Sequence, residues 1–188
     1  MEHLGNRISK GKWSLFLDRD GVINQRIPDG YVKSPDQFEF LPGVMEAFGI
    51  FTNLFDHIFI ITNQQGIGRG LMNSKELELV HQMMLDSIHK SGGRVDAIYY
   101  SPDLKQMGSF TRKPAVGMGL KARKDFPSIR FRNSIMAGDT NSDMVFGRRL
   151  NMVNVLINSD PAEIKASGEL PDYLFPDLIS FANALIEK

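Results

Sequence analysis

Two aspartates follow the first apolar run of the sequence. Residues 15–17 are apolar, and the run ends at Asp18 and Asp20, with Gly21 directly after them. This pattern is typical of a buried strand that delivers carboxylates to its carboxyl end, where open α/β sheets bind ligands. Two neighbouring carboxylates repel each other unless a cation lies between them. The pair predicts a site for a divalent cation or a cation-bound phosphate, unless either aspartate only caps a helix or shapes a turn.

Further polar side chains stand at the ends of other predicted elements. The predicted strand 57–62 ends at Thr62 and Asn63, Asp139 follows the predicted strand 135–137, and Lys113 opens a predicted helix. These residue types suit phosphoryl transfer, in which a carboxylate can form an aspartyl-phosphate while a cation and hydrogen-bond donors neutralise the phosphoryl oxygens. Because Mg²⁺ prefers oxygen ligands, we expect it on carboxylates at this rim.

The elements that must position these residues alternate between strands and helices. Such alternation predicts an α/β fold, Rossmann-like and doubly wound, with a mostly parallel sheet and helices on both faces. The glycines of 63–70 lack the dinucleotide-binding spacing, so a nicotinamide cofactor is not expected. The predicted strands are 15–17, 57–62, 97–100, 135–137, 153–157 and 173–175. The main predicted helices begin near 42, 74, 112 and 178, and a further helix that includes Asp143 follows Asp139.

Length and composition limit the possible classes of protein. The chain has 188 residues, with 22 basic and 22 acidic side chains and no cysteine. We expect a flexible tail over residues 1–12 and a single domain over 13–188. A zero net charge favours neither nucleic acid nor a membrane surface as partner. No signal peptide or membrane span is recognisable, so we expect a cytoplasmic protein. We also expect it to be a monomer.

Four segments at the predicted strand and helix ends resemble the four motifs of the haloacid dehalogenase-like hydrolases. They are DRDGVIN at 18–24, TNQQGIGRG at 62–70, RKP at 112–114 and GDTNSD at 138–143. The resemblance is closer to the branch that holds histidinol-phosphate phosphatase and D-glycero-D-manno-heptose 1,7-bisphosphate phosphatase. It implies a magnesium-dependent phosphomonoesterase that acts on a small phosphorylated metabolite. The leading substrate is D-glycero-D-manno-heptose 1,7-bisphosphate, hydrolysed at its 7-phosphate. Histidinol phosphate or another sugar phosphate is the alternative.

The resemblance also implies a role for each matching residue. Asp18 would be the nucleophile, Asp20 the general acid and base, and Thr62 and Lys113 would hold the phosphoryl group. Magnesium would be bound by Asp18, the main-chain carbonyl of Asp20, and Asp139. The implied substrate contacts are Asn63, Gln64 and Arg112. Independently of the resemblance, Arg69 in the glycine-rich segment is a candidate for anion binding, unless it is only a solvated surface residue.

The sequence departs from the family pattern in two places. Heptose bisphosphate phosphatases usually carry a zinc loop of Cys and His before RKP, where this chain has Ser101, Asp103, Ser109 and Thr111. We therefore expect no zinc, and a loop held by packing and turns. Many relatives have Lys where this chain has Thr140, which removes one positive group near the phosphate. About 40 residues separate the first two motifs, too few for a large cap domain.

Several alternatives remain at this point. Asp143 follows Thr140 at capping-box spacing, so it either closes a helix start or assists the metal. His81 lies on a predicted helix without partners at metal-binding spacing. A phospho-acceptor receiver-like signalling domain is the non-enzyme alternative, but receivers place their acceptor after the third strand. A dehalogenase would not need an acid at position 20, so Asp20 argues against that alternative.

Overall fold

The strand that leads to Asp18 and Asp20 lies in the middle of the sheet. The structure, a computed structural model, describes residues 4–8, 12–157 and 171–187. Strand β1 (Ser14–Leu17) is buried along its whole length and pairs in parallel with β2 (His57–Asn63) on one side and β4 (Ser134–Gly138) on the other. The chain therefore crosses from one side of β1 to the other, which creates the switch point where such sheets bind ligands.

The remaining strands extend the sheet in both directions. β3 (Ala97–Ser101) lies outside β2, while β5 (Val153–Ile157) and β6 (Tyr173–Phe175) lie beyond β4, giving the order β3-β2-β1-β4-β5-β6. Every pairing is parallel. The predicted doubly wound α/β fold is confirmed, and no large cap is present among the described residues.

Helices cover both faces of the sheet. Because successive side chains of a strand point to opposite faces, Leu15 and Leu17 belong to one apolar core with Phe51, while Phe16 belongs to the other with Phe146. Among the described residues, no helix is both long and apolar enough to cross a bilayer. The helices are α1 (Leu4–Ile8), α2 (Val44–Leu54), α3 (Gln65–Gly68), α4 (Ser74–Lys90), α5 (Gly117–Asp125), α6 (Asn141–Arg149) and α7 (Leu178–Ile186).

Two predicted boundaries are wrong. The tail expected over residues 1–12 includes helix α1, whose Leu4 and Ile8 are buried in the core; residues 1–3 and 9–11 lie outside the described residues. Leu4 and Ile8 have the i, i+4 spacing of a helix face, but the surrounding polar residues made two apolar positions too weak a signal. The helix predicted from residue 112 begins only at Gly117, because the main chain of Lys113 bonds instead to the side chain of Asn63 at the end of β2.

Candidate active site

The carboxyl ends of β1, β2 and β4 meet at one rim of the sheet. Asp18, Thr62 and Asp139 stand at these three ends and are all buried. The main-chain N–H of Asp18 donates to the carbonyl of Ala137 at 2.9 Å, which fixes the first strand end against the fourth. A cleft of about 440 Å³ opens above this rim. The predicted residues that line it are Asp18, Asp20, Thr62, Asn63, Arg69, Arg112 and Lys113.

Lys113 lies between two buried carboxylates. Its Nζ is 2.8 Å from Oδ1 of Asp18 and 2.5 Å from Oδ1 of Asp143. Burial lowers the pKa of Lys113, but the negative charges of Asp143 and Asp18 outweigh burial and raise it. The ammonium therefore remains charged, as a group that holds a phosphoryl oxygen must be. The other oxygen of Asp143 accepts from the N–H and hydroxyl of Thr140, so Asp143 both caps α6 and pairs with Lys113.

Asn63 holds the main chain of Lys113 from the end of β2. The Asn63 side-chain amide donates to the Lys113 carbonyl at 3.1 Å and accepts from the Lys113 N–H at 3.0 Å. This reciprocal pair keeps residue 113 out of a helix and directs its side chain toward Asp18. The structure thus places Asn63 in contact with Lys113, a neighbour of Asp18, as well as in the wall of the cleft.

Three buried carboxylates form a site that suits Mg²⁺. One oxygen each of Asp18, Asp139 and Asp143 lie within 4.8 Å of one another. Burial raises the pKa of Asp18 to about 6 and raises the pKa of Asp139 well above its usual range. Carboxylates that resist ionisation in this way are stabilised by a nearby cation. An all-oxygen donor set is the kind that Mg²⁺ prefers, so the residues present fit this metal.

Gly21 is required for the carboxylate of Asp139 to reach this site. A Cβ at position 21 would lie 2.1 Å from Oδ2 of Asp139. The φ of Gly21 is also +93°, a conformation that other residues rarely adopt. The glycine that follows the two aspartates in the sequence therefore makes room for the third acid.

The carboxylate of Asp20 lies in a cage of donors. Arg19 donates to both of its oxygens at 2.9 and 3.0 Å, Asn24 donates at 3.0 Å, and Gln64 donates at 2.8 Å. Gln64 also donates to the hydroxyl of Thr62 at 2.9 Å. Burial raises the pKa of Asp20, but the charge of Arg19 and these hydrogen bonds outweigh it and lower the pKa. The carboxylate is held ionised, with its side chain about 25% exposed.

Arg19 is itself held by a histidine from α4. The Arg19 side chain is fully buried, and its Nη1 lies 3.1 Å from Nε2 of His81. Because arginine can only donate, Nε2 of His81 is the acceptor. Burial and the charge of Arg19 lower the pKa of His81 to about 3, so the ring is neutral. Sequence reasoning treated His81 as lacking metal partners and did not detect this contact, which joins residues 62 positions apart.

Arg26 is a second residue that the sequence did not reveal. Its guanidinium bonds to both carboxylate oxygens of Asp139, at 2.9 and 2.8 Å, and to the main-chain carbonyl of Asp20 at 3.1 Å. The segment after Asn24 has no periodic pattern, so no sequence signal distinguishes this arginine from a solvated one.

Arg69 and Arg112 stand in the wall of the cleft with Tyr31. The guanidinium of Arg69 lies 5.9 Å from the centre of the Tyr31 ring. Burial lowers the pKa of Arg112, and the charge of Arg69 lowers it further, while Tyr31 and Asp103 act in the opposite direction. Two guanidiniums that repel each other across a cleft favour an anion between them.

Side-chain hydrogen bonds hold the cysteine-free loop before Arg112. Oδ2 of Asp103 accepts from the hydroxyls of Ser101, Ser109 and Thr111, and the Thr111 bond is 2.7 Å long. The Asp103 carbonyl accepts from Nη1 of Arg112 at 3.1 Å. The four residues expected at zinc-ligand positions thus contact one another. The expectation of packing and turns alone was incomplete, because these side chains make direct bonds.

Comparison with known proteins agrees with this geometry. The family model described as HAD-hydrolase-like matches residues 110–181. D-glycero-alpha-D-manno-heptose-1,7-bisphosphate 7-phosphatase of Mycobacterium bovis is 32% identical over 174 residues, which cover 93% of this chain and 92% of the relative. The enzyme of the same name from Campylobacter jejuni is 38% identical over 151 residues, covering 80% of this chain and 85% of the relative.

A solved structure extends the similarity to three dimensions. The D,D-heptose 1,7-bisphosphate phosphatase of B. bronchiseptica, complexed with magnesium and phosphate, superposes with a TM-score of 0.84 at 30% identity. The match covers 93% of this chain and 98% of that one. With its fold, its four motifs and these relatives in agreement, the chain belongs to the haloacid dehalogenase-like hydrolases.

Proposed function

We propose that this protein is a magnesium-dependent phosphatase that removes the 7-phosphate of D-glycero-D-manno-heptose 1,7-bisphosphate. The observation that carries the proposal is the buried contact between Lys113 and Asp18, with Asp139 beside them at the rim of an open cleft. Relatives named for this activity share most of the chain. The phosphatase relatives favour turnover over the receiver-like and dehalogenase alternatives.

The first step forms a bond between a carboxylate oxygen of Asp18 and phosphorus while the phosphorus–oxygen ester bond breaks. Asp20 gives its proton to the departing alkoxide. Lys113 and the hydroxyl of Thr62 hold the phosphoryl oxygens, and both side chains are buried, where such contacts are strong. Asp18, the Asp20 carbonyl and Asp139 would hold Mg²⁺, which would supply positive charge beside the phosphoryl oxygens.

The second step hydrolyses the aspartyl-phosphate. Asp20, now ionised, takes a proton from water, whose oxygen attacks phosphorus and releases Asp18 with inorganic phosphate. The cage of Arg19, Asn24 and Gln64 favours this ionised form. Asp20 is therefore restored to its protonated state at the end of the cycle, ready for the next alkoxide.

The second phosphate of a bisphosphate requires its own cations. Arg69 and Arg112 line the same cleft as Asp18 and Lys113, and the bond between Arg112 and the Asp103 carbonyl fixes one of them in place. Guanidiniums bind phosphate with two parallel hydrogen bonds. A substrate with phosphates at both ends would thus contact Lys113 with one and the two arginines with the other.

Parallel kinetics on four substrates test the proposal. Purified protein with Mg²⁺ should release phosphate from heptose 1,7-bisphosphate, supplied as both anomers, with a higher kcat/KM than from heptose 7-phosphate, mannose 6-phosphate or histidinol phosphate. The Arg112→Met variant should lose kcat/KM for the bisphosphate while the monophosphate rates change little. Faster turnover of histidinol phosphate would replace the substrate assignment. Release of phosphate from none of them would overturn the enzymatic one.

A further inference from the structure

The guanidinium of Arg26 lies on oxygens that the proposed metal would need. It bonds to the carboxylate of Asp139, a member of the three-carboxylate cluster, and to the main-chain carbonyl of Asp20. Both are among the expected ligands of Mg²⁺. Magnesium demands oxygens about 2.0–2.1 Å away in octahedral geometry. A guanidinium nitrogen 2.8–3.1 Å from the same oxygens takes up part of the space in which a cation would be coordinated by them.

Electrostatics favours a cation at this position when the three carboxylates are ionised. Asp18, Asp139 and Asp143, when ionised, carry three negative charges against the single positive charge of Lys113, a net of minus two. Arg26 reduces that excess to minus one. An arginine side chain is always protonated in proteins, so the guanidinium brings a full positive charge to the cluster.

We propose that Arg26 and the divalent cation are alternative occupants of one site, so that metal binding displaces the guanidinium from Asp139 and from the Asp20 carbonyl. The inference rests on the proposed magnesium dependence. The Arg26 side chain is about 45% exposed and lines the cleft, so it can leave the carboxylates without unpacking the core. Arg26 then acts as a built-in competitor that lowers the apparent affinity for the metal and preserves the site in its absence.

Calorimetric titration of Mg²⁺, and of Mn²⁺ as a second probe, tests the competition in the absence of substrate. The Arg26→Met variant should bind either ion about tenfold more tightly than the wild type or better, because the metal no longer displaces a bound cation. Arg69→Met removes a positive charge from the same cleft without touching the carboxylates, so it controls for the general field. Its affinity should stay within about twofold of the wild type, given screening by solvent.

The wild-type protein provides a readout that does not depend on the variant's folding. In ¹H–¹⁵N spectra of arginine side chains, assigned with Arg26→Lys, the Arg26 Nε–H signal should move on addition of Mg²⁺ toward the position of a solvated arginine. Equal metal affinities for wild type and Arg26→Met, or an unchanged Arg26 signal at saturating Mg²⁺, would overturn the competition and leave the phosphatase assignment standing. Absence of metal binding in every variant would overturn both.

Discussion

In the proposed mechanism, the carboxylate of Asp20 must satisfy two opposite demands. Protonating an alkoxide requires a proton on Asp20, whereas activating water requires the ionised form. The charge of Arg19 and the hydrogen bonds from Asn24 and Gln64 lower its pKa despite its burial. Without substrate, Asp20 is therefore in the ionised form that activates water. The negative charge of a bound phosphate raises the pKa of a neighbouring acid, so it favours the protonated form of Asp20 that the alkoxide requires.

Replacing Asp20 with Asn should separate catalysis from folding. Asp20→Asn keeps an oxygen that accepts from Arg19, so the fold should persist, while kcat should fall by about 10²–10⁴-fold through loss of proton transfer. Steady-state kinetics on the preferred substrate and circular dichroism provide the measurements. The Asp18→Asn variant, which lacks the nucleophile, sets the background rate. A wild-type kcat for Asp20→Asn would remove its assigned role.

His81 contacts Arg19, which in turn bonds to Asp20. His81→Leu should leave Nη1 of Arg19 buried without its acceptor, which costs about 1–3 kcal/mol of stability. It should also loosen the contact of Arg19 with Asp20, so kcat should fall more than KM rises and the limb of the pH profile set by Asp20 should move upward. Thermal unfolding and pH-rate profiles measure both effects.

Two further variants distinguish a positioning role of His81 from a merely structural one. His81→Gln retains an acceptor and should recover most of kcat. His89→Leu, at an exposed position on the same helix, should match the wild type. If His81→Leu lost stability but kept an unchanged pH profile, His81 would have no influence on the acid.

At the scale of elements, local patterns predicted what depends on nearby residues. Helix α4 (Ser74–Lys90) begins where the sequence predicts, and Asn73 and Glu76 form a capping box at its start. The start of α5 was wrong because a bond from Asn63, 50 residues earlier, decides the conformation at Lys113. The sequence likewise identified Asp18, Asp139 and Lys113 through their motifs. It missed Arg19 and Arg26 because no local spacing records contacts that only the folded chain creates.

Hydrogen bonds within the loop 101–112 position Arg112, a proposed substrate contact. Asp103→Ala should release the hydroxyls of Ser101, Ser109 and Thr111 and thereby loosen Arg112, which bonds to the main chain of residue 103. We expect KM for the bisphosphate to rise about tenfold, as for the loss of a charged hydrogen bond, with kcat changed less. Gln106→Ala, at an exposed position in the same loop, is the matched control. Equal KM values for the two variants would contradict this coupling.

At the scale of the whole molecule, the sheet concentrates negative charge where its strands end. The chain has a formal net charge of zero, yet three buried carboxylates meet at the switch point beside β1. Repulsion between like charges that are brought together at a functional site lowers the stability of the folded state. Cation binding should return part of that stability, because a ligand that binds only the folded state stabilises it.

The stabilisation by Mg²⁺ should depend on pH. Burial raises the pKa of Asp18 to about 6 and that of Asp139 well above its usual range, so without metal both carboxyls hold protons in the folded state at pH values where the unfolded chain has lost them. Without metal, their contribution to stability is present at low pH and is lost as pH rises through these values. Because Mg²⁺ binds the ionised form of these carboxyls, the affinity of the site for Mg²⁺ should increase as pH rises.

We therefore expect the Mg²⁺-induced increase in Tm to be small at pH 5 and to grow toward pH 8, with protons released on binding near pH 6. Thermal scans with and without Mg²⁺, and calorimetry in two buffers of different ionisation enthalpy, measure these effects. Asp18→Asn should release fewer protons, whereas a shift in Tm that is independent of pH would place the cation away from these carboxylates.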